Sequence, residues 1–120
     1  MFFEPIRTWD GSEMNHLIYS WESEGSMGSP GCSDINNNLI YENDILKYKK
    51  YISILKRGKF SYNGKILNGW YLECYYKDNK VISPFYQNDS YEVIGNIFKN
   101  KDLYNKIKLR EEVRIDDFVG

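Results

Sequence analysis

In this chain of 120 residues, the feature that most constrains the fold is a set of dipeptides that separate the apolar stretches. Asp10-Gly11, Asn63-Gly64 and Asp78-Asn79 each stand between two stretches rich in aromatic and branched residues. Asn, Asp and Gly tolerate the positive φ that the centre of a tight hairpin turn requires. These positions therefore predict a fold built from β-hairpins.

Alternation and composition favour the same fold class. In residues 70–77, Trp70, Leu72 and Cys74 occupy one face of an extended chain and polar residues occupy much of the other. Aromatic residues make up 17% of the chain, which suits strands, and alanine, the best helix former, does not occur. We therefore predict a mainly β protein of one domain, residues 1–120.

Two segments near the end of the chain have distinct patterns. Residues 91–98 are apolar on both faces, with Val93 and Ile97 on one and Ile94 and Phe98 on the other, which predicts a central, buried strand. Residues 100–107 predict a short helix, because an Asn precedes it, an Asp lies in its first turn and apolar residues recur four apart. We expect the following side chains to be buried: Trp9, Trp70, Leu72, Val93, Ile94 and Ile97.

The segment 22–38 does not fit a compact set of hairpins. It is a polar stretch in which only Met27, Cys32 and Ile35 are apolar. Loops longer than about 12–15 residues are uncommon and are usually functional or mobile, although a simple insertion explains this loop equally well. A small enzyme with a site in this loop therefore remains an alternative.

Few residues offer catalytic or ligand-binding chemistry. His16 is the sole histidine, and any Cys–His pair would have to join it to Cys32 or Cys74, for which nothing in the spacing argues. A structural zinc site needs four Cys or His ligands at short spacings, and the chain has one His and two Cys, widely separated. No nucleotide-binding motif is present. We therefore expect no catalytic residue, no metal, no cofactor and no enzymatic activity.

The first residues and the two cysteines indicate the cellular compartment. Two cysteines in a chain without an export signal make a weak case for a disulfide. Glu4 and Pro5 follow the start at once, leaving no apolar export segment, and no apolar run approaches the roughly 20 residues that span a bilayer. We expect a cytoplasmic protein of a bacterial host with reduced thiols and no membrane contact.

Charge is distributed unevenly although the net charge is −1. Residues 1–44 hold eight acids and one base, whereas residues 45–72 hold seven bases and no acid. Interleaved lysines and tyrosines can bind nucleic acid, but they can equally pack a core and protect sheet edges. The pI of 5.8 favours a protein over a nucleic acid as the macromolecular partner, and self-association stays open. The candidate binding patch is Lys47, Lys49, Lys56, Arg57 and Lys59.

Residues 6–10 with Met14, residues 38–46 and residues 92–100 form three patterns in order along the chain. Together they resemble the YopX-like proteins of bacteriophages and prophages. Residues 6–10 (IRTWD), followed by Met14, are similar to the family's opening pattern (F/I)RAWD…M. Residues 38–46 (NLIYENDIL) are similar to NGKEIYEGDIV, and residues 92–100 (EVIGNIFKN) to EVIGNIYEN. Asn43 stands where the family usually has glycine, and residues 108–120 extend past the family core.

The resemblance implies a small SH3-like β-barrel, carried by mobile genetic elements, with no established biochemical activity. It implies structural roles for its shared residues, with the two aspartates as turn formers. We therefore expect a non-enzymatic accessory protein that binds an unknown macromolecule. The shared positions are Trp9, Asp10, Tyr41, Asp44, Ile94, Gly95 and Asn96.

Overall fold

The computed structural model of the chain describes residues 6–17, 26–49, 51–76, 79–86 and 90–108. Eight strands and one helix lie within these ranges. In chain order they are β1 (Ile6–Trp9), β2 (Met14–Leu17), β3 (Ser26–Met27), β4 (Asp44–Tyr48), β5 (Tyr51–Tyr62), β6 (Lys65–Tyr76), β7 (Asn79–Pro84), β8 (Glu92–Asn96) and α1 (Lys101–Lys108).

A three-stranded antiparallel sheet has the order β2-β1-β3. The predicted Asp10-Gly11 turn closes the hairpin of β1 and β2, in which Trp9 is opposite Met14. On the other side of β1, Arg7 is opposite Met27 of β3. Part of the polar segment 22–38 is thus a strand, and Met27 and Cys32 within it are buried.

A five-stranded antiparallel sheet has the order β7-β6-β5-β4-β8. The predicted turn Asn63-Gly64 joins β5 to β6, with φ of 52° and 76°, so both residues adopt the left-handed conformation that favours Asn and Gly. The turn between β4 and β5 was not predicted. Lys49 adopts a φ of 53° there, and lysine carries no sequence signal for that conformation.

Two apolar clusters cover opposite faces of the five-stranded sheet. Leu46, Leu55 and Leu72 pack with Ile40 and Tyr91 on one face. On the other face the helix α1 covers the sheet through Ile107, which packs with three isoleucines of β4 and β5: Ile45, Ile52 and Ile54. Because both faces are covered, four consecutive residues of β5, 52–55, are buried.

The prediction of a central, fully buried strand over residues 91–98 is wrong. β8 is an edge strand of the sheet and most of its residues are half-buried. The pairing with β4 shifts by one residue near Ile94, which is a β-bulge. After the strand ends the chain turns, so Ile97 packs in the same cluster as Ile94 rather than with Val93.

Burial follows the predictions only in part. Leu72 is 5% exposed, as expected for a core residue. The two tryptophans and the three apolar residues 93, 94 and 97 are half-buried instead. Trp70, Val93, Ile94 and Ile97 each pack against the side of an apolar cluster, whereas Trp9 lines an open cleft.

The mainly β fold with one short C-terminal helix is confirmed. The strand pairs among the described residues join into two sheets, and closure into an SH3-like barrel stays a prediction, as does the single-domain assignment. The predicted extension 108–120 lies outside the described residues apart from Lys108, and so does Asp78 of the predicted third turn. None of the helices in the described ranges is long and apolar enough to cross a membrane.

Candidate functional site

A cleft of about 880 Å³ lies where three separate chain segments meet. One wall comes from β1 and the turn after it, and the opposite wall comes from β8 and the start of α1. These are the segments that hold the three sequence patterns. The tertiary structure therefore brings most of the shared positions into one neighbourhood, although they lie far apart in the sequence.

Arg7 and Asp44 form a buried ion pair at this cleft. Arg7 Nη2 donates hydrogen bonds to Asp44 Oδ1 at 2.5 Å and to the carbonyl oxygen of Glu42 at 2.9 Å. Asp44 Oδ2 accepts the backbone N–H of Tyr41 at 2.8 Å, so Asp44 also holds the turn before β4. Arg7 is 5% exposed and Asp44 is 1% exposed. The pair ties the smaller sheet to the larger one.

Burial raises the pKa of Asp44 to about 6, while the charge of Arg7 and the two hydrogen bonds act in the opposite direction. The ion pair therefore offsets only part of the cost of removing the carboxylate from water. The Nε of Arg7 is also buried, with no hydrogen-bond partner among the described residues. The ring of Tyr41 makes a cation–π contact, because the guanidinium of Arg7 lies 4.8 Å from its centroid.

Asn96 and Asn100 organise the other wall of the cleft. Asn96 Oδ1 accepts the backbone N–H groups of Phe98 and Lys99, at 3.0 and 2.9 Å, which closes the turn before α1. Asn100 Oδ1 accepts the N–H of Asn96 at 3.1 Å. A Cβ at Gly95 would lie 2.5 Å from that Oδ1 atom, so only glycine fits there.

Two further shared positions make contacts at or near the cleft. The ring of Trp9 stacks on Phe98, with centroids 5.8 Å apart and planes at 17°. Asp10 is exposed and closes its own turn: its Oδ1 accepts the N–H groups of Glu13 and Ser12, at 2.7 and 2.8 Å. These hydrogen bonds lower the pKa of Asp10 to about 2.

The candidate basic patch is divided between the two faces of the sheet. Lys47 is opposite Ile52, and Lys56 lies on that same face, where its Nζ donates to Asn43 Oδ1 at 2.9 Å. Arg57 and Lys59 lie on the opposite face, because neighbouring residues in a strand point in opposite directions. Lys49 lies in the turn between β4 and β5, with its Nζ 5.4 Å from the centroid of the Tyr48 ring.

The outer half of the β5–β6 hairpin extends past its neighbouring strands. β4 pairs with β5 only through Ile54, and β7 pairs with β6 only from Tyr71 onward. Residues 55–70, which we call the ribbon, are therefore two-stranded among the described residues. The ribbon contains four basic residues and no acid. Its end carries Ile66, which is 80% exposed.

The sequence model of the YopX protein family matches residues 7–105. The chain belongs to the YopX family. The match covers all three sequence patterns and includes the cleft, the ribbon and most of α1. Searches among curated proteins and among solved structures give no match.

Asp34 is a structural residue of this YopX chain that the sequence reasoning missed. It is 4% exposed, and its Oδ1 accepts the N–H groups of Asn36 and Asn38, at 2.9 and 2.8 Å. Its Oδ2 accepts the N–H of Val93 at 2.9 Å, which ties the segment to β8. Burial opposes the charge, but these hydrogen bonds prevail and lower the pKa of Asp34. An Asp with three Asn residues beginning two positions later, as in residues 34–38 (DINNN), is a signal for such a turn.

The histidine and the cysteines do not converge on this cleft. His16 is exposed and meets the ring of Tyr41 edge-on, with centroids 5.4 Å apart. Cys32 packs in the first apolar cluster, and burial raises the pKa of Cys74, which disfavours a reactive thiolate. Within the described ranges no group of three His, Cys, Asp or Glu residues is placed to hold a metal ion.

Proposed function

We propose that this chain is a non-enzymatic accessory protein of phage or prophage type that acts in the cytoplasm of a bacterial host by binding a macromolecule. YopX family membership supports the phage-type assignment. The exposed ribbon is the main support for the proposed binding role. It places four basic side chains and an exposed isoleucine on a two-stranded extension beyond the sheet.

The exposure of apolar side chains near the turn of the ribbon argues for its binding role. A two-stranded hairpin outside a sheet is only marginally stable by itself in water, so its length is costly for a small domain. Ile66 at 80% and Leu67 at 37% exposure contribute little to the core. Exposed apolar side chains next to charged ones are typical of interaction surfaces.

The cleft supports a structural role better than an enzymatic one. Its polar groups hydrogen-bond to one another: the carboxylate of Asp44 is held by Arg7 and Tyr41, and the amides of Asn96 and Asn100 hold the turn before α1. In the segment 22–38, the carboxylate of Asp34 is likewise engaged by three backbone N–H groups. A general base or nucleophile needs a group that is available to substrate.

A shortened ribbon tests the binding role. Deleting residues 59–62 and 65–68 keeps Asn63-Gly64 as the turn between Gly58 and Gly69. Removing an even number of residues from each strand preserves the hydrogen-bonding class of the pair at the turn. Full-length and shortened proteins would be used to capture partners from a bacterial lysate, after their thermal unfolding had been compared.

We expect the full-length protein to retain a macromolecule that the shortened protein loses. The lysate would be divided into portions with and without nuclease treatment, which separates a protein partner from a nucleic acid. Equal retention by both proteins, or retention by neither, would contradict a binding role for the ribbon.

A further inference from the structure

The two faces of the ribbon differ in chemistry. On one face Lys59 is directly opposite Asn68, and Arg57 lies one pair nearer the sheet. All three side chains are exposed. On the other face the ring of Phe60 packs against Tyr71, with centroids 4.8 Å apart, and Phe60 is 9% exposed. The first face, which we call the polar face, thus presents hydrogen-bond donors and cations to solvent.

The ribbon matches the major groove of B-form DNA in size. Paired strands lie about 5 Å apart, and the groove is about 12 Å wide, which admits a two-stranded β-ribbon. The five residues from Gly58 to Tyr62 extend over roughly 17 Å, about the length of five base pairs at 3.4 Å each. The polar face can therefore lie along the groove over about five base pairs, ahead of the sheet.

The residue types on the polar face are those that contact DNA. Lysine and arginine bind the acceptor edge of guanine or the phosphates, and asparagine pairs with adenine through both of its amide groups. Lys65, beside the turn, is opposite Tyr62 and therefore lies on the other face, where it adds an exposed cation. The polar face ends where Ser61 is opposite the exposed Ile66, an apolar side chain that can contact a thymine methyl group. No acid occurs between residues 45 and 72 to repel a phosphate backbone.

We propose that the ribbon binds duplex DNA by inserting its polar face into the major groove. This proposal rests on the binding role proposed above and names its partner. On the polar face, Arg57 and Lys59 contact phosphates or guanine edges and Asn68 lies against the bases. Lys65, on the other face beside the turn, contacts a phosphate at the edge of the groove. The acidic first third of the chain keeps the net charge near zero, so the attraction is confined to the ribbon.

Other nucleic acids fit the ribbon less well. Single strands are bound mainly by exposed aromatic rings, whereas Phe60 of the ribbon is packed against Tyr71 and its other two rings, Tyr62 and Trp70, are half-buried. The major groove of duplex RNA is too deep and narrow for side chains to enter. Duplex DNA is therefore the expected ligand among the three.

The test is a fluorescence anisotropy titration of the full chain with a labelled, mixed-sequence DNA duplex at several salt concentrations. We expect binding that weakens with salt at a log–log slope of roughly −3, since each phosphate contact contributes about −0.9. The variant K59Q/K65Q should lose at least about tenfold in affinity, and the magnitude of its slope should fall by about 2.

A matched control changes two lysines on the exposed end of α1. K106Q/K108Q alters the net charge by the same amount, and both side chains are exposed. This variant should bind the duplex as the unmodified chain does. Single-stranded DNA and duplex RNA, tested in parallel, should bind more weakly than duplex DNA.

Several results would overturn the duplex proposal. These are no binding at low salt, equal losses in the two lysine variants, or a preference for single strands or RNA. Loss of a protein partner by the shortened ribbon in nuclease-treated lysate, together with a negative duplex titration, would leave the binding role standing and refute DNA as the ligand. Failure of both experiments would refute both proposals.

Discussion

In the cleft, the guanidinium of Arg7 is 5% exposed and lies against the carboxylate of Asp44 and the ring of Tyr41. In the ribbon, Lys59 is exposed in a segment that contains no acid. Both regions use basic side chains, but with opposite physical consequences. A buried charge that loses its counter-charge is strongly destabilising, whereas an exposed charge contributes little to stability and is available to a ligand. The cleft accordingly belongs to the fold, whereas the ribbon suits the binding role proposed for it.

Removing the carboxylate of the buried ion pair should have the largest effect on stability. We expect Asp44→Ala to lower the free energy of unfolding by about 3–5 kcal/mol, because Arg7 would remain charged and buried without its partner. Urea denaturation measures this change. Lys59→Ala in the ribbon should change the same quantity by less than about 0.5 kcal/mol. Comparable losses of unfolding free energy in the two variants would contradict the distinction between the buried charge of the cleft and the exposed charge of the ribbon.

A double replacement shows whether the ion pair itself stabilises the protein. R7M/D44L removes both charges, together with the Nε that has no partner among the described residues. We expect the double variant to be more stable than Asp44→Ala, because apolar side chains avoid the desolvation of two charges. If the double variant is less stable than the unmodified protein, the pair and its hydrogen bonds contribute more than its burial costs.

Two leucines of β6 compare a core position with the ribbon under the same substitution. Leu72 is 5% exposed and packs in the first apolar cluster, whereas Leu67 lies near the ribbon's end and is 37% exposed. We expect Leu72→Ala to cost about 2–5 kcal/mol and Leu67→Ala about 1 kcal/mol or less. Thermal and urea unfolding followed by circular dichroism would measure both. Similar costs would mean that the ribbon is packed in solution.

A smaller effect is expected at the turn that leads into α1. The new Cβ of Gly95→Ala would lie 2.5 Å from Asn100 Oδ1, which could move away only by losing its hydrogen bond from Asn96. We expect a cost of about 1–3 kcal/mol in the free energy of unfolding. In the N100A background the same change should cost less, because the obstructing side chain is absent. If Gly95→Ala cost the same unfolding free energy with and without the Asn100 side chain, that side chain would not be the source of the strain.

The dependence of stability on pH has opposite signs at two carboxylates of the shared patterns. Between pH 4 and 6 the folded protein binds a proton at Asp44 more tightly than the unfolded chain, because its pKa is raised from 3.8 to about 6. This group therefore lowers stability as the pH rises through that window. Asp10, with its pKa lowered from 3.8 to about 2, contributes stability that is lost as the pH falls from 4 towards 2.

Carboxyl carbon chemical shifts in an NMR titration would give both pKa values directly. We expect midpoints near 6 for Asp44 and near 2 for Asp10. Asp10→Asn should flatten the acid limb of the stability curve below pH 4 without changing the region between pH 4 and 6. An Asp44 midpoint at or below 3.8 would mean that the attraction of Arg7 outweighs burial.

Local sequence determined two of the hairpin turns, the mainly β composition and the helix. Asn63 and Gly64 adopt the positive φ that their side chains tolerate, and Asp10 closes its turn with its own carboxylate. The helix extends over residues 101–108, close to the predicted 100–107. Such features depend on the conformational preferences of a few adjacent residues, so the sequence is sufficient to predict them.

Only the tertiary structure decided which residues would meet and which would face water. Arg7 and Asp44 are 37 residues apart, and neither shows from its neighbours that it will pair with the other. β8 has the composition of a central strand but lies at an edge, since strand order depends on pairing between distant segments. The bases that follow one another in the sequence separate onto two faces, and the ribbon is exposed because β4 and β7 end before it. These features depend on pairing between strands that are far apart in the sequence. The residue pattern of one strand does not indicate where its neighbouring strands end.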